Sequence, residues 1–520
     1  MVENNSEQSD VHLLNTALHY YQSGDFSQAD AVVDSVLVSS PSYPDALHLS
    51  GLIASQSGKE EFAIQQIIKA IQIDATPQMH LNLGVLLQAQ GQLNSASNHY
   101  KQSLRLKPDY VEALCKLGKV ELLLQHSLSA VECFQRAVDI TPEKEAYNHL
   151  GMALCALGYG RDAEKAFRDA IALEPEFSVA YLNLGLMLKN QGNLRVAENT
   201  FRHVLSFKPE SIDALNQLGL VLQAQNKLED AKKCFSRILE LNPQHNEGHK
   251  NLGSVYQALG LLEEAITHRQ QAIKYLLRSP IRRKLPRKTL TLEPARQVLL
   301  IVRKLLGEAG ISFFLGSGTL LGICRGGDLL PHDKDMDLGF SWDIDRKQVF
   351  RVLTESGEFY CPSFERHSDH DRKWMIGLVH QKSGIALDLF FYKPDGGHYL
   401  FGFNQLPNPI LSRPRRFELK SISWQGVNWL VPDDCDQYLT DLYGSDWRTP
   451  DSNFDTVVSS RCQTSESTHA RRCLGYGRLY LRLQNGQLEK AAGYCQQLLR
   501  HKNEPFLKDL LAAIDQQIPK

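Results

Sequence analysis

Three aspartates in this chain have types and spacings that suit chemistry on a phosphate. Asp335 and Asp337 alternate with Met336 and Leu338, a period that puts both carboxylates on one face of a strand and the apolar pair in a core. Two carboxylates side by side repel unless a cation sits between them, and a divalent ion is the usual one. Asp388 supplies a third acid, alone in the apolar run from Ile385 to Tyr392, where a charge is costly unless it is paired or metal-bound. Upstream, a short apolar strand from Ile311 to Leu315 meets Gly316-Ser317-Gly318, small residues whose backbone N–H groups can approach an anion closely. Thr319 and the two leucines after it open a helix, and Arg325 follows. Lys373, just before a later strand, suits a further phosphate contact and a surface position equally well. A glycine-lined anion seat beside a carboxylate cation seat implies chemistry on a nucleotide phosphate.

The wording of these segments resembles a known group of enzymes. Gly-Ser, then Asp-x-Asp, then a lone strand Asp resembles the nucleotidyltransferase superfamily. GTLLG, Arg325 and LLPHDKDMDLGF (329–340), with Tyr443-Gly444-Ser445-Asp446-Trp447 and Pro450, resemble its LicD/fukutin branch over roughly residues 290–455. The resemblance implies that Asp335, Asp337 and Asp388 bind one or two Mg²⁺ or Mn²⁺ ions, hard cations suited to carboxylate oxygen. It also implies that Gly316, Ser317, Gly318, Thr319 and Arg325 contact donor phosphate. His332 stands where that family usually has tryptophan, and Lys334 replaces the middle acid of its triple-aspartate run; Asp333 is kept. Either Asp388 or Asp333 can serve as general base, and the residues leave that choice open.

The elements around this segment are repetitive. A small residue recurs at Ala17, Gly51, Gly84, Gly118, Gly151, Gly185, Gly219 and Gly253, with an alanine twelve positions after each. Seven positions after it comes Gly24, Gly58, Gly91, Gly158, Gly192, Asn226 or Gly260, with Gln125 alone breaking the series. This predicts eight two-helix units over 11–275, the Gly or Asn ending the first helix in the left-handed region. The pattern resembles the tetratricopeptide repeat, which implies a solenoid with a long concave groove. Two residues before each small position lie Asn15, Leu49, Asn82, Lys116, His149, Asn183, Gln217 and Asn251. This polar ladder is similar to the asparagine row of O-GlcNAc transferase, and such amides can both donate to and accept from a peptide backbone.

The remaining stretches fill in the organisation. Residues 276–291 form a basic linker carrying Arg282, Arg283, Lys284, Arg287 and Lys288, and 292–455 form the α+β catalytic domain. Arg366 to Asp371 holds an HxxH spacing that reads as a polar loop. At 466–520 the repeat spacing returns, with Gly486 and Ala491 seven and twelve after Leu479, which predicts a tetratricopeptide-like hairpin and a cap. The fold class is thus multidomain: an all-α solenoid, an α+β nucleotidyltransferase-type domain and a short helical tail.

Composition sets outer bounds. The chain has 520 residues, 42% of them apolar and 22% charged, with a net charge of −2. That near-neutral balance argues against general nucleic-acid binding. The start lacks the regions of a signal peptide, and no apolar run reaches membrane-helix length, so a non-integral protein of the reducing cytoplasm is expected. Ten scattered cysteines without a CxxC pair indicate neither a zinc site nor a disulfide scaffold.

The expected activity, implied by the resemblance, is metal-dependent transfer of phosphocholine or a polyol phosphate from a CDP-activated donor. The acceptor is a sugar hydroxyl on a glycan or glycoprotein held by the repeat groove. Plain nucleotidyl transfer with release of pyrophosphate is the second reading. A non-catalytic interaction scaffold is the third, and the intact Asp-x-Asp with Asp388 speaks against it.

Overall fold

The computed structural model describes residues 2–278, 292–331, 335–362, 373–404, 409–450, 460, 462, 464 and 468–517, with residues 2–9 described by backbone alone. The linker arginines and lysines at 282–288, His332, Asp333 and Lys334, and the polar loop at 366–371 lie outside the described residues. The chain divides into two compact units, 1–221 and 222–520.

In the first unit, helices pair as hairpins from Val2–Ser23 with Phe26–Ser39 through to Ser178–Asn190 with Leu194–Phe207. The recurring small residue is required by the ring beneath it. A Cβ at Gly84 would lie 2.5 Å from the Tyr100 ring, and one at Gly118, Gly151 or Gly185 would lie 2.6–2.7 Å from Phe134, Phe167 or Phe201. The second helix of the third to sixth hairpins therefore presses a buried aromatic onto the bare backbone of the first, and in the second hairpin Ile67 takes that place against Gly51. Each first helix then ends in a left-handed residue. Gly24, Gly58, Gly91, Gly158 and Gly192 take φ of +74° to +84°. Gln125 departs from the series in residue type only, because its φ is +64°.

The second unit begins at the end of the seventh hairpin's first helix, Ile212–Ala224, and contains its second helix, Leu228–Leu241, and the eighth hairpin, Asn246–Ala258 with Leu262–Leu276. A sheet domain follows, with strands β1 (Phe314–Leu315), β2 (Asp335–Ser341), β3 (Phe359–Tyr360), β4 (Met375–His380), β5 (Ala386–Asp395), β6 (His398–Phe403) and β7 (Ile410–Ser412). The order is β1-β2-β5-β4-β3, with β6 pairing β5 and β7; β2 and β5 run parallel and their neighbours antiparallel. A separate hairpin pairs β8 (Leu419–Trp424) with β9 (Val427–Pro432). Met336, Leu338, Leu387 and Leu389 turn into one core with Val298, Leu299 and Val302 of helix Leu292–Glu308. Among the described residues no helix is long and apolar enough to cross a membrane.

Helices Thr468–Gln484 and Leu488–His501 then form one more hairpin, capped by Pro505–Asp515. The register read from Leu479 holds in the backbone, since Gly486 takes φ +68° and Leu479, Ala491 and Cys495 are buried. This hairpin packs on Leu262–Leu276, so the sheet domain is inserted between two hairpins that touch. Arg269 accounts for the contact. It stands sixteen residues after Gly253, where five earlier repeats carry an aromatic ring and the first two carry Val33 and Ile67. Its guanidinium instead donates to the Cys473 carbonyl and the Gln257 side chain. Beside it, Gln270 donates to Tyr476 (2.9 Å) and Glu504 (3.0 Å), and Arg472 pairs with Glu504 and, at 3.3 Å, with Glu263.

Two outcomes follow from these contacts. Gln125→Gly removes the left-handed penalty and raises the stability of the first unit by about 1 kcal/mol in urea unfolding; no gain contradicts the assignment. Glu504→Gln removes the nearer of the two carboxylates paired with the buried Arg472, leaving Glu263 at 3.3 Å, and costs the second unit about 2 kcal/mol in the same assay, whereas an unchanged midpoint would show that the pair is dispensable.

Candidate functional site

The site is built on the β2–β5 seam. Parallel register pairs Asp335 with Ala386 and Asp337 with Asp388, and on the far side of β5 Gly377 lies opposite Asp388. Because side chains at paired positions of parallel strands share a face, Asp335, Asp337 and Asp388 project to the same side. All three are half-buried, while Met336, Leu338, Leu387 and Leu389 fill the other side. Among the described residues, however, no three His, Cys, Asp or Glu side chains are gathered closely enough to cage a metal ion.

The glycine corner is fastened to the middle aspartate. Gly316 N–H donates to the Asp337 carbonyl (3.2 Å), and Gly318 N–H donates to Asp337 Oδ2 (2.7 Å). Asp337 N–H donates in return to Thr319 Oγ1 (2.8 Å). Ser317 N–H donates to the Tyr438 hydroxyl at 3.2 Å, which lies 2.7 Å from the Tyr392 hydroxyl. These bonds change the expected role of the corner, because the N–H groups of Gly316, Ser317 and Gly318 are spent inside the protein. What remains is the Ser317 hydroxyl, 1% exposed, which completes no hydrogen bond among the described residues. Ser317 also opens helix Ser317–Gly326 at φ +38°, a strained value for a residue with a Cβ.

The tyrosine pair stays protonated. Burial raises the Tyr438 phenol to about 12, and burial followed by the charge of Tyr438 raises Tyr392 well above its ordinary value. Both hydroxyls are therefore donors throughout the physiological range.

The structure does not gather every residue singled out in the sequence. Arg325 lies in the last turn of its helix, about 12 Å from Ser317 at 1.5 Å per residue, and its guanidinium donates to the Trp447 carbonyl. It ties the Tyr443–Trp447 segment to the helix. Lys373 is buried at the head of β4, four residues and about 13 Å from the Asp388 rung, where its carbonyl accepts from Arg346 Nε (3.1 Å). Asp333 falls outside the described residues. One residue was missed. Arg478, on helix Thr468–Gln484, has its pKa lowered by burial, and the charges of Tyr494 and of Asp335 act against that shift. Its signal in the sequence was faint, an arginine inside a repeat-like helix.

The ladder residues are mostly half-buried, and several bond between repeats. Asn82 Nδ2 meets His48 Nε2 at 2.9 Å, Asn183 Nδ2 donates to Asn148 Oδ1 at 2.9 Å, and Gln217 Oε1 accepts from Lys189 Nζ at 2.8 Å. His149 bonds the Glu145 carbonyl within its own helix. Asn15 is exposed, Lys116 half-buried, and Leu49 and Asn251 buried. Beside His149 a cleft of about 550 Å³ opens, lined by Lys107, Tyr110, Glu112, Lys119 and Glu145 among others.

Comparison with known proteins agrees with this division. Residues 310–434 match the family model described as LicD/FKTN/FKRP, nucleotidyltransferase domain. Tetratricopeptide models match 87–124, 145–173, 178–211 and 212–245. The chain is similar to ribitol-5-phosphate transferase FKTN of Mus musculus, 26% identical over 163 residues, or 31% of this chain and 34% of that protein. It is also similar to tetratricopeptide repeat protein 6 of Homo sapiens, 26% identical over 169 residues and 32% of each chain. It thus spans about a third of the length of these relatives. Among solved structures, MamA is 31% identical over 30% of this chain and 93% of its own, with a TM-score of 0.29.

Ser317→Ala separates a binding role from a packing one. The hydroxyl completes no bond, so unfolding stability is expected to shift by less than about 1 kcal/mol, while affinity for a nucleotide diphosphate in calorimetry falls roughly tenfold. Equal affinity in the variant would remove Ser317 from the site.

Proposed function

We propose, from tetratricopeptide repeats joined to a LicD-type domain, that this chain transfers a phosphorylated alcohol from a CDP-activated donor to a sugar hydroxyl. The observation that carries the reading is the register pairing of Asp337 with Asp388 beside Asp335, on the face against which the Ser317 corner is docked. A polyol phosphate is the better-supported alcohol, since the similar proteins are named ribitol-5-phosphate transferases.

A divalent cation fits the chemistry of the donor set, which is carboxylate oxygen from three residues of one face. Asp335, Asp337 and Asp388 would hold Mg²⁺ or Mn²⁺, which when bound there offsets charge on the donor pyrophosphate as the phosphorus–oxygen bond breaks. Ser317 donates its free hydroxyl to a phosphoryl oxygen. Gly318 N–H holds one oxygen of Asp337 in place, so that carboxylate is oriented before the donor arrives. A carboxylate of the same face takes the proton of the acceptor hydroxyl, and the nucleoside monophosphate leaves. The groove of the repeats holds the acceptor or a protein that carries it; the polar cleft at Lys119, Glu145 and His149 supports a charged peptide there.

Product analysis with Mn²⁺ and labelled CDP-ribitol, CDP-choline or CTP tests the reading. CMP released from a CDP-alcohol is expected, and Asp337→Asn and Asp388→Asn should each lower turnover at least about 10²-fold. Pyrophosphate from CTP would favour nucleotidyl transfer. No product and no metal-dependent nucleotide binding would leave a scaffold.

A further inference from the structure

A cleft of about 600 Å³ opens between helix Leu292–Glu308, the approach to β1 and strand β9, and none of its lining residues belongs to the acidic face or the Ser317 corner. The helix contributes one face to it, since Leu300, Arg303, Lys304, Gly307 and Glu308 recur at spacings of three and four. Within the cleft Arg303 is held ready for an anion. Its guanidinium lies 5.8 Å from the centre of the Trp429 ring, which is 3% exposed and meets Phe313 edge-on at 6.3 Å. An arginine resting on a ring keeps its N–H donors for another partner. Among the described residues neither Arg303 nor Lys304 makes a hydrogen bond or ion pair, although Glu308 stands one turn after Lys304. Gly307 keeps this side of the cleft open. A Cβ there would meet nothing within 4 Å, so no close contact requires a glycine that is otherwise unfavourable in a helix.

We propose that this cleft is a second carbohydrate site, separate from the transfer site, which binds a sugar residue bearing one carboxylate, such as a hexuronate. The charges favour a monoanion. Arg303 and Lys304 are offset in part by Glu308, which leaves a single positive charge in the cleft. A neutral sugar would leave that charge unanswered, and a dianionic phosphomonoester would exceed it. The planar fork of Arg303 matches a carboxylate with two parallel N–H bonds. The remaining polar groups suit hydroxyls: the Glu308 carboxylate accepts from them, and the Asn428 amide and Ser312 hydroxyl both donate and accept. Leu300, Phe313 and Leu430 add apolar surface for the C–H face of a sugar ring. An acidic peptide would bring its carboxylates to Glu308 with no hydroxyl to satisfy it. Binding here needs neither a cation nor a nucleotide, so it stands or falls apart from the transfer reading.

Saturation-transfer NMR on the full chain in EDTA, with methyl β-glucuronide as the probe, is expected to show transfer to the ring protons of the sugar. Methyl β-glucoside, which lacks the carboxylate, should bind at least about tenfold more weakly. Arg303→Gln removes the held cation, and Gly307→Leu fills the open side of the cleft. Each should weaken glucuronide binding by a similar factor without lowering the thermal unfolding midpoint, and adding Mn²⁺ with CDP should leave binding unaltered. No transfer to the glucuronide, equal affinity for the glucoside, binding that survives both variants, or displacement by CDP would each overturn the proposal. So would tighter binding of glucose 6-phosphate or of an acetylated glutamate peptide, which would assign the cleft to a phosphate or to an acidic polypeptide.

Discussion

One aspartate holds the functional corner together. Asp337 receives Gly316 N–H on its carbonyl and Gly318 N–H on its carboxylate, and it gives its own N–H to Thr319 Oγ1. Three bonds to one residue fix the start of helix Ser317–Gly326 against β2. The same residue lies in register with Asp388 on β5. The strand seam and the glycine corner are therefore one rigid object, and the acidic face cannot shift without carrying Ser317 along. Holding Ser317 there costs backbone strain, which neighbours must offset; the Tyr392–Tyr438 pair is the buried support beneath it.

The placement of the sheet domain within the chain has a physical reason as well. An inserted domain needs its two ends held near one another, and the hairpins before and after it supply that by packing together. An apolar side chain at the position of Arg269 would have sealed the eighth hairpin as Val33, Ile67 or a ring does in the others. The arginine instead reaches a carbonyl on the helix that returns after the insertion. Its charge is buried, so the polar groups around it, Gln257 and the Cys473 carbonyl, are obligatory partners. The same returning helix carries Arg478, whose guanidinium feels the charge of Asp335. The tail is thus part of the surroundings of the acidic face.

What the sequence made legible was local. Eight small residues and the alanines twelve positions on betray helices that touch their neighbours at fixed spacing, and the side chains pressed against Gly51, Gly84, Gly118, Gly151 and Gly185 confirm the cause. The alternation of Asp335 and Asp337 gave their shared face, because side-chain direction in a strand depends only on parity. Gln125 shows the limit of residue type as a signal: the turn imposes the left-handed backbone on whatever occupies it. What was not legible depended on long-range contacts. Nothing in Gly316-Ser317-Gly318 announces that its N–H groups are taken by Asp337 and by a tyrosine 121 residues away. Nor does Arg325 reveal that it faces Trp447, 122 residues on, at the other end of its helix. Arg269 could have been noticed as the break in an aromatic series, but its partner could not.

The central claim is that Asp335, Asp337 and Asp388 form one cation-dependent phosphate site. Anomalous diffraction from crystals grown with Mn²⁺ and a CDP-alcohol tests it most directly. The account predicts manganese peaks between these three carboxylates, with the donor pyrophosphate against Ser317. Nucleotide bound elsewhere on the domain, or manganese absent from this face while nucleotide is present, would contradict it.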